Sequence, residues 1–110
     1  MEEILARLNN IPSVSGVILV GEDGMIIAKA LKEELNSEVI GASVARVYST
    51  ILGAVEELKW DSVNAFLIEG TELKFLVKSL PPLIVVIMKD LSQLGLIRLE
   101  IEDMAVLLKQ

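Results

Sequence analysis

The chain contains no cysteine and no histidine. The first absence excludes disulfides and thiolate nucleophiles, and the second removes the side chain best placed for proton transfer near neutral pH. The usual zinc ligands are missing for the same reason. Because most enzyme mechanisms lose their principal groups, we expect no catalytic residue, no metal site and no cofactor.

Long apolar runs and clusters of basic residues are also missing. The longest run without a charged residue covers residues 8–21 and contains Pro12, whereas a membrane-spanning helix needs about 20 apolar residues in succession. Glu2 and Glu3 stand where a secretory signal would carry basic residues. The net charge of −6 repels the phosphates of nucleic acid. We therefore expect a cytoplasmic protein with no membrane span and no nucleic-acid partner.

Apolar residues, in contrast, are abundant. They make up 53% of the 110 residues, while charged residues make up 24%. A chain of this length forms one ordinary domain, and no linker, low-complexity tract or internal repeat divides it. We therefore predict a single domain over residues 1–110, with part of its apolar surplus at an interface with another protein.

The spacing of apolar residues predicts the element order α-β-β-α-β-β-β-α. Gly21-Glu22-Asp23-Gly24 supplies the turn of a hairpin, and Asn36 or Ser37 caps a long helix. Asp90 and Gln93 have the spacing of a capping box before the last helix. This order is typical of an α+β domain with an antiparallel sheet. Helices are predicted over residues 1–9, from 37 to about 58 and from 90 onward, and strands over 15–20, 25–30, 60–70, 73–79 and 83–89.

Two motifs in the chain have simple structural explanations. Gly16 and Gly21 have the spacing of a phosphate-binding loop, but Glu22 and Asp23 follow where that loop needs Lys and Ser or Thr. A strand start and a turn glycine explain the pair better. In the last helix, a solvated face explains the acidic residues better than a catalytic carboxylate pair does. These residues are Glu100, Glu102 and Asp103, and the core stripe predicted for the same helix is Leu94, Ile97, Ile101, Met104 and Leu108.

The second helix carries the most informative pattern. Arg46 is its only charged residue between Val39 and Val55, and a helix that is apolar nearly all round needs partners on two sides. One side is predicted to face the core, through Ile40, Val44, Val47, Ile51, Val55 and Leu58. The opposite side carries small residues that let another helix approach closely. These are Ala42, Ala45, Ser49 and Gly53.

A homodimer interface is the interpretation that we favour for the small-residue side. Alanine and serine also suit a solvent-facing surface, but an exposed mid-helix glycine such as Gly53 costs about 1 kcal/mol relative to alanine. The following strand is uncharged over residues 62–68 and lacks the features that protect an exposed sheet edge. We therefore predict a two-fold interface built from this helix and this strand. Its residues are Ala42, Ala45, Arg46, Ser49, Leu52, Gly53, Asn64, Phe66 and Ile68.

Two side chains near this interface have more specific interpretations. Arg46 is either an arginine finger offered to a GTPase or, in the interpretation that we favour, a rim residue whose stem packs while its head is solvated. Trp60 follows the helix directly and is predicted to be a core or corner residue.

Three segments together resemble the Roadblock light-chain family. They are residues 11–17 (IPSVSGV), the hairpin Gly21-Glu22-Asp23-Gly24 and residues 94–98 (LGLIR). The resemblance covers essentially the whole chain, in the family's order and spacing. It implies an α/β fold of profilin-like topology, in which a five-stranded antiparallel sheet has one helix on one face and two on the other. It also implies dimerisation through the second helix and the third strand.

The same resemblance implies a function in protein binding. Members of the family bind and regulate small Ras-like GTPases, serve as light chains of dynein motors, or act as scaffolds that recruit GTPases. We therefore expect a homodimeric regulator or scaffold of a small Ras-like GTPase, without a catalytic residue of its own. The alternative is a structural light chain or adaptor that binds a peptide or a multiprotein complex whatever the nucleotide state. A small-ligand sensor ranks last, because a fold alone does not give a function.

Overall fold

The computed structural model of the chain describes residues 2–80 and 82–108. Met1, Pro81, Lys109 and Gln110, which the predicted domain includes, lie outside the described residues. The elements follow the predicted order. They are α1 (Glu2–Asn9), β1 (Val14–Val20), β2 (Ile26–Leu31), α2 (Ser37–Leu58), β3 (Ala65–Glu69), β4 (Lys74–Ser79), β5 (Leu83–Met88) and α3 (Leu94–Leu108).

The five strands form one antiparallel sheet with the order β2-β1-β5-β4-β3. Strand β5 lies at the centre, and its continuously apolar sequence is buried along its whole length. Helices α1 and α3 pack on one face of the sheet and α2 packs on the other, so that the molecule has two separate hydrophobic cores. The predicted fold class, with one helix on one face and two on the other, is confirmed.

The turn between β1 and β2 is the one that the sequence predicts. The backbone N–H of Gly21 donates to the carbonyl of Met25 at 2.9 Å, and Asp23 Oδ1 accepts from the N–H of Met25 at 3.0 Å. Gly24 has a φ of +88°, which L side chains rarely adopt. A Cβ at this position would also lie 3.2 Å from Ala42 Cα, so the turn packs closely against α2.

Helix α2 has a side-chain cap at one end and a backbone cap at the other. Of the two predicted N-caps, Asn36 is the one used, and its side-chain oxygen accepts from the N–H of Val39 at 3.2 Å. At the C-terminus, Lys59 adopts a left-handed conformation and the N–H of Trp60 donates to the carbonyl of Val55 at 3.0 Å. This is the Schellman arrangement, in which glycine normally occupies the left-handed position.

The predicted capping box at the start of α3 is wrong. Helix α3 begins at Leu94, and Gln93 Oε1 accepts from the backbone N–H of Ser13, 2.9 Å away, instead of reaching back to Asp90. Gln93 therefore joins the start of α3 to the chain just before β1. The hydroxyl and the backbone N–H of Ser92 donate to Asp90 and hold the pKa of that carboxyl below its ordinary value.

The third strand is shorter than predicted. Pairing with β4 covers Ala65–Glu69, whereas the sequence predicted a strand over residues 60–70. Residues 60–64 instead connect α2 to the sheet, because the Schellman turn sends the chain away from the helix end. Trp60 lies in this connection and is 69% exposed, so of the two predicted placements, core or corner, the core is wrong.

Candidate interface on the second helix and third strand

Helix α2 is anchored on the sheet by its N-terminal half. All of its buried residues precede Ser49, and one of them, Tyr48, places its hydroxyl 3.1 Å from Ser79 Oγ. From Ser49 to Leu58 no residue is buried. The C-terminal half of the helix therefore carries apolar side chains that the described part of the chain leaves uncovered.

The predicted core stripe of α2 is wrong in part. Val47 and Leu58 are exposed, whereas the other four members are buried or half-buried, namely Ile40, Val44, Ile51 and Val55. The buried side is rotated toward Gly41, where a Cβ would lie 2.8 Å from Ile26 Cδ1. Because the helix and the hairpin approach closely, the buried side of α2 carries small residues. A sequence pattern based on bulky apolar side chains does not identify such a side.

An apolar groove runs between α2 and the outer strands β3 and β4. It has a volume of about 260 Å³. The groove exists because α2 covers β1, β2 and β5 and leaves this corner of the sheet face open. Its lining residues are Val39, Ile40, Ser43, Val44, Val47, Ile68 and Phe75.

The predicted small-residue side of α2 is largely on the surface. Ala42, Ser49 and Gly53 are exposed, and a Cβ added at Gly53 would meet no atom within 4 Å. Ala45 is an exception, because it is only 7% exposed and faces the hairpin turn at Gly24. The prediction that Ala45 is available to a partner is therefore wrong, since the hairpin of the same chain covers it.

The remaining predicted residues surround the groove and the end of the helix. Ile68 lines the groove and Phe66 is half-buried beside it, on the same sheet face. Arg46 and Leu52 are exposed on α2. Asn64 precedes β3, and its backbone carbonyl accepts from the N–H of Ser79 at 3.0 Å. The structure thus brings α2 and β3 together at one groove, although the nine predicted residues do not form one continuous face.

Sequence reasoning did not assign two apolar residues to this surface. Val39 and Val47 line the groove, although Val47 was predicted to face the core. Val39 and Val47 are eight residues apart, which places them on similar sides of a helix. That spacing is visible in the sequence, but it does not separate a groove from a core unless the extent of the sheet beneath α2 is known.

In residues 2–80 and 82–108 no group of three or more acidic side chains is placed to hold a metal ion. Helix α2 is long and apolar enough to cross a membrane by length and composition, and no other helix in these ranges meets that criterion. A helix packed on a sheet can meet it as well, and α2 contributes Val44 and Tyr48 to a core. The arrangement is suited to contact with another protein.

The sequence of this chain matches one family model and several known proteins. The model of the Roadblock/LC7 domain matches residues 1–88. Three uncharacterized proteins of Methanocaldococcus jannaschii are also similar to this chain in sequence. One is 28% identical over 106 residues, which are 96% of this chain and 90% of the relative. Two others are 27% identical over 96% of this chain and 93% of their own length.

Solved structures from three bacteria have the same fold. MglB of Myxococcus xanthus superposes with a TM-score of 0.81 at 21% identity, covering 94% of this chain and 89% of its own. The gliding protein MglB of Thermus thermophilus has a TM-score of 0.82 at 14% identity, with coverages of 94% and 82%. A Roadblock/LC7 domain of Streptomyces avermitilis has a TM-score of 0.81 at 14% identity, with coverages of 100% and 98%. At these identities the likeness establishes the fold.

Proposed function

We propose that this chain, which belongs to the Roadblock/LC7 domain family, is a homodimeric protein-binding domain that regulates or scaffolds a small Ras-like GTPase. It acts in the cytoplasm as a single domain over residues 1–110, and its own side chains perform no catalysis. The observation that carries the proposal is the apolar groove that joins α2 to the edge strand β3. A groove of this kind, open on a small domain, is best explained by a protein partner that fills it.

The edge of β3 supplies the first contact of the proposed dimer. Strand β3 ends the sheet, and its sequence Ala65–Glu69 has a single charge, Glu69. If two copies pair antiparallel about Leu67, each Phe66 lies opposite Ile68 of the other copy. Both side chains point to the α2 face, so the pair extends the apolar surface under the helix. Such pairing also satisfies backbone groups that an open edge leaves to solvent.

Helix α2 supplies the second contact. Val39 and Val47 line the groove beside Ile68, and the α2 helix of the second copy covers them in the proposed dimer. The exposed Gly53 allows the two helices to approach closely. The outward residues of the paired helices, with Arg46 at the rim, then form the docking surface for the GTPase. That partner is inferred from the family resemblance, and the exposed surface is compatible with it.

Binding to a GTPase can be tested directly. Purified small Ras-like GTPases from the source organism are loaded with GDP or with a non-hydrolysable GTP analogue, and their affinity for the chain is measured by calorimetry. We expect binding that prefers one nucleotide state. Absence of binding in both states would reject the proposed partner, while the mass of the chain in solution would still report on the dimer separately.

The role of Arg46 separates two ways of stimulating GTP hydrolysis. The chain either positions groups of the GTPase or inserts a catalytic arginine of its own. An arginine finger contributes about 10³–10⁵ to the rate of hydrolysis. We expect Arg46→Ala to lower any stimulated hydrolysis by less than about tenfold, because a rim arginine contributes only to affinity. The single-turnover rate at saturating concentration of the variant is the measurement, with Arg46→Lys as the control. A loss of about a thousandfold in both variants would make Arg46 catalytic.

The alternative is an adaptor that binds a peptide whatever the nucleotide state of any GTPase. The groove favours it to the extent that an extended peptide could pair with β3 and place apolar side chains between β3 and α2. Such an adaptor would bind its peptide equally well whatever nucleotide a GTPase carries. The two functions therefore differ in whether binding depends on the nucleotide state of a GTPase.

A further inference from the structure

Helix α3 carries a second apolar surface that the proposed dimer does not use. The inner side of the helix is buried against the sheet, through Ile97, Ile101 and Met104. The opposite side exposes four large apolar residues, which we name the outer stripe: Leu96, Leu99, Val106 and Leu107. Leu99 is 61% exposed and Val106 is 60% exposed. The predicted core stripe is confirmed for the inner side, except that the side chain of Leu108 lies outside the described residues.

Three residues of the outer stripe, together with Asp103, have the spacing of a helix-pairing surface. Leu96, Leu99, Asp103 and Val106 follow one another at intervals of three, four and three residues, and Leu107 lies beside this row. That is the spacing of positions that face a second helix in a coiled coil. Helix α3 thus has one apolar side for its own sheet and another for a helix from outside.

The charges around the outer stripe indicate the chemistry of that helix. In a coiled coil, the seam is the row of residues that face the second helix, and a position on each side flanks it. Glu100 and Glu102 fall at the two flanking positions, and Asp103 falls within the seam. Glu100 forms an ion pair with Arg7 of α1 at 3.0 Å, but Glu102 and Asp103 are exposed. Arg98, the basic residue of α3, lines the small cleft beside β4 together with Lys78, and Glu102 lies at the same cleft. The stripe is therefore bordered by carboxylates on both sides.

We propose that the outer stripe of α3 binds an amphipathic helix of another protein, with leucine-like residues in its seam and lysine or arginine beside them. A basic residue at a flanking position meets Glu102, and another neutralises Asp103 as it leaves water, while Glu100 keeps its ion pair with Arg7. A second copy of α3 fits less well as the occupant, because it supplies no basic residue on its pairing side and adds a second Asp103 there.

This site is independent of the proposed dimer. Helix α3 packs on the face of the sheet opposite to α2, so pairing through α2 and β3 leaves the outer stripe free. The match to the family model ends at residue 88, before α3 begins at Leu94. The matched range of the family model therefore does not include the stripe.

The test uses the full chain and two fluorescently labelled synthetic peptides. Both peptides have leucine at the heptad seam, and they differ only in flanking lysines or flanking glutamates. We expect fluorescence anisotropy to show saturable binding of the lysine peptide and none of the glutamate peptide. Leu99→Ser should weaken the lysine peptide about tenfold or more, because it removes a large apolar contact and keeps every charge. Met25→Ser, at an exposed apolar residue of the hairpin, should leave the affinity unchanged.

A charge exchange adds a second criterion. The double variant Glu102→Lys and Asp103→Lys should lose the lysine peptide and gain the glutamate peptide. The proposal is overturned if neither peptide binds the unmodified chain, or if the lysine peptide binds the Leu99→Ser variant equally well. It is also overturned if Leu99→Ser alone lowers the mass of the free protein, because the occupant would then be a second copy.

Discussion

Two glycine residues of α2 differ in what surrounds them. Gly41 and Gly53 lie on the same helix, but a Cβ at Gly41 would meet Ile26 while a Cβ at Gly53 would meet nothing within 4 Å. Gly41 is therefore explained by the fold of one chain. Gly53 has no such explanation, and an exposed mid-helix glycine costs about 1 kcal/mol relative to alanine. The proposed contact with a partner helix would account for it.

Gly53→Ala tests this reasoning through two effects of opposite sign. In the isolated chain the substitution should raise the free energy of unfolding by about 1 kcal/mol, because alanine is the better helix former. In the dimer the new methyl group should hold the two helices apart and raise the dissociation constant. Urea unfolding at high dilution and sedimentation at rising concentration measure the two effects.

Gly95→Ala is the matched control for that experiment. Gly95 is also an exposed helical glycine with no atom within 4 Å of an added Cβ, but it lies on α3. It should raise stability by a smaller amount, because Gly95 lies in the first turn of its helix, and it should leave the dissociation constant of the dimer unchanged. If both alanine variants dimerise as the parent does, Gly53 is not at the interface.

The helices and strands show which parts of the fold sequence patterns can predict. Their order, the hairpin turn and the central position of β5 follow from local signals, such as Asp23-Gly24 and the apolar run of residues 83–88. The orientation of α2 does not follow from local signals, because its buried side depends on small residues and on where the sheet ends. The capping box failed because Gln93 finds a distant partner in Ser13, which local spacing cannot reveal.

The C-terminal cap of α2 provides a prediction about the helix itself. Lys59 has a φ of 56° and is the one residue other than glycine with positive φ in the described ranges. A left-handed conformation strains a residue that has a Cβ, whereas glycine adopts it freely. Lys59→Gly should therefore raise the free energy of unfolding by about 0.5–1 kcal/mol. A urea midpoint equal to or below that of the parent chain would contradict this explanation of the cap.

At the scale of the whole molecule, the described residues expose an apolar surface at α2 and β3 and another on the outer side of α3, which packs on the opposite face of the sheet. The surface of α2 and β3 was predicted in outline, because the scarcity of charge over residues 39–55 and 62–68 is visible in the sequence. Its groove was not predicted, since a groove depends on which strands α2 leaves open. The outer stripe of α3 was missed because a solvated face is a sufficient explanation of its acidic residues.

The state of association in solution tests the central claim most directly. Sedimentation equilibrium at micromolar concentration should give twice the 12.0 kDa mass of one chain. Ile68→Lys, in the groove at the β3 edge, should reduce this to the mass of one chain. Ile27→Lys, at an exposed position on the opposite edge strand, should not change it. A parent chain that sediments as a monomer at every concentration would contradict the account.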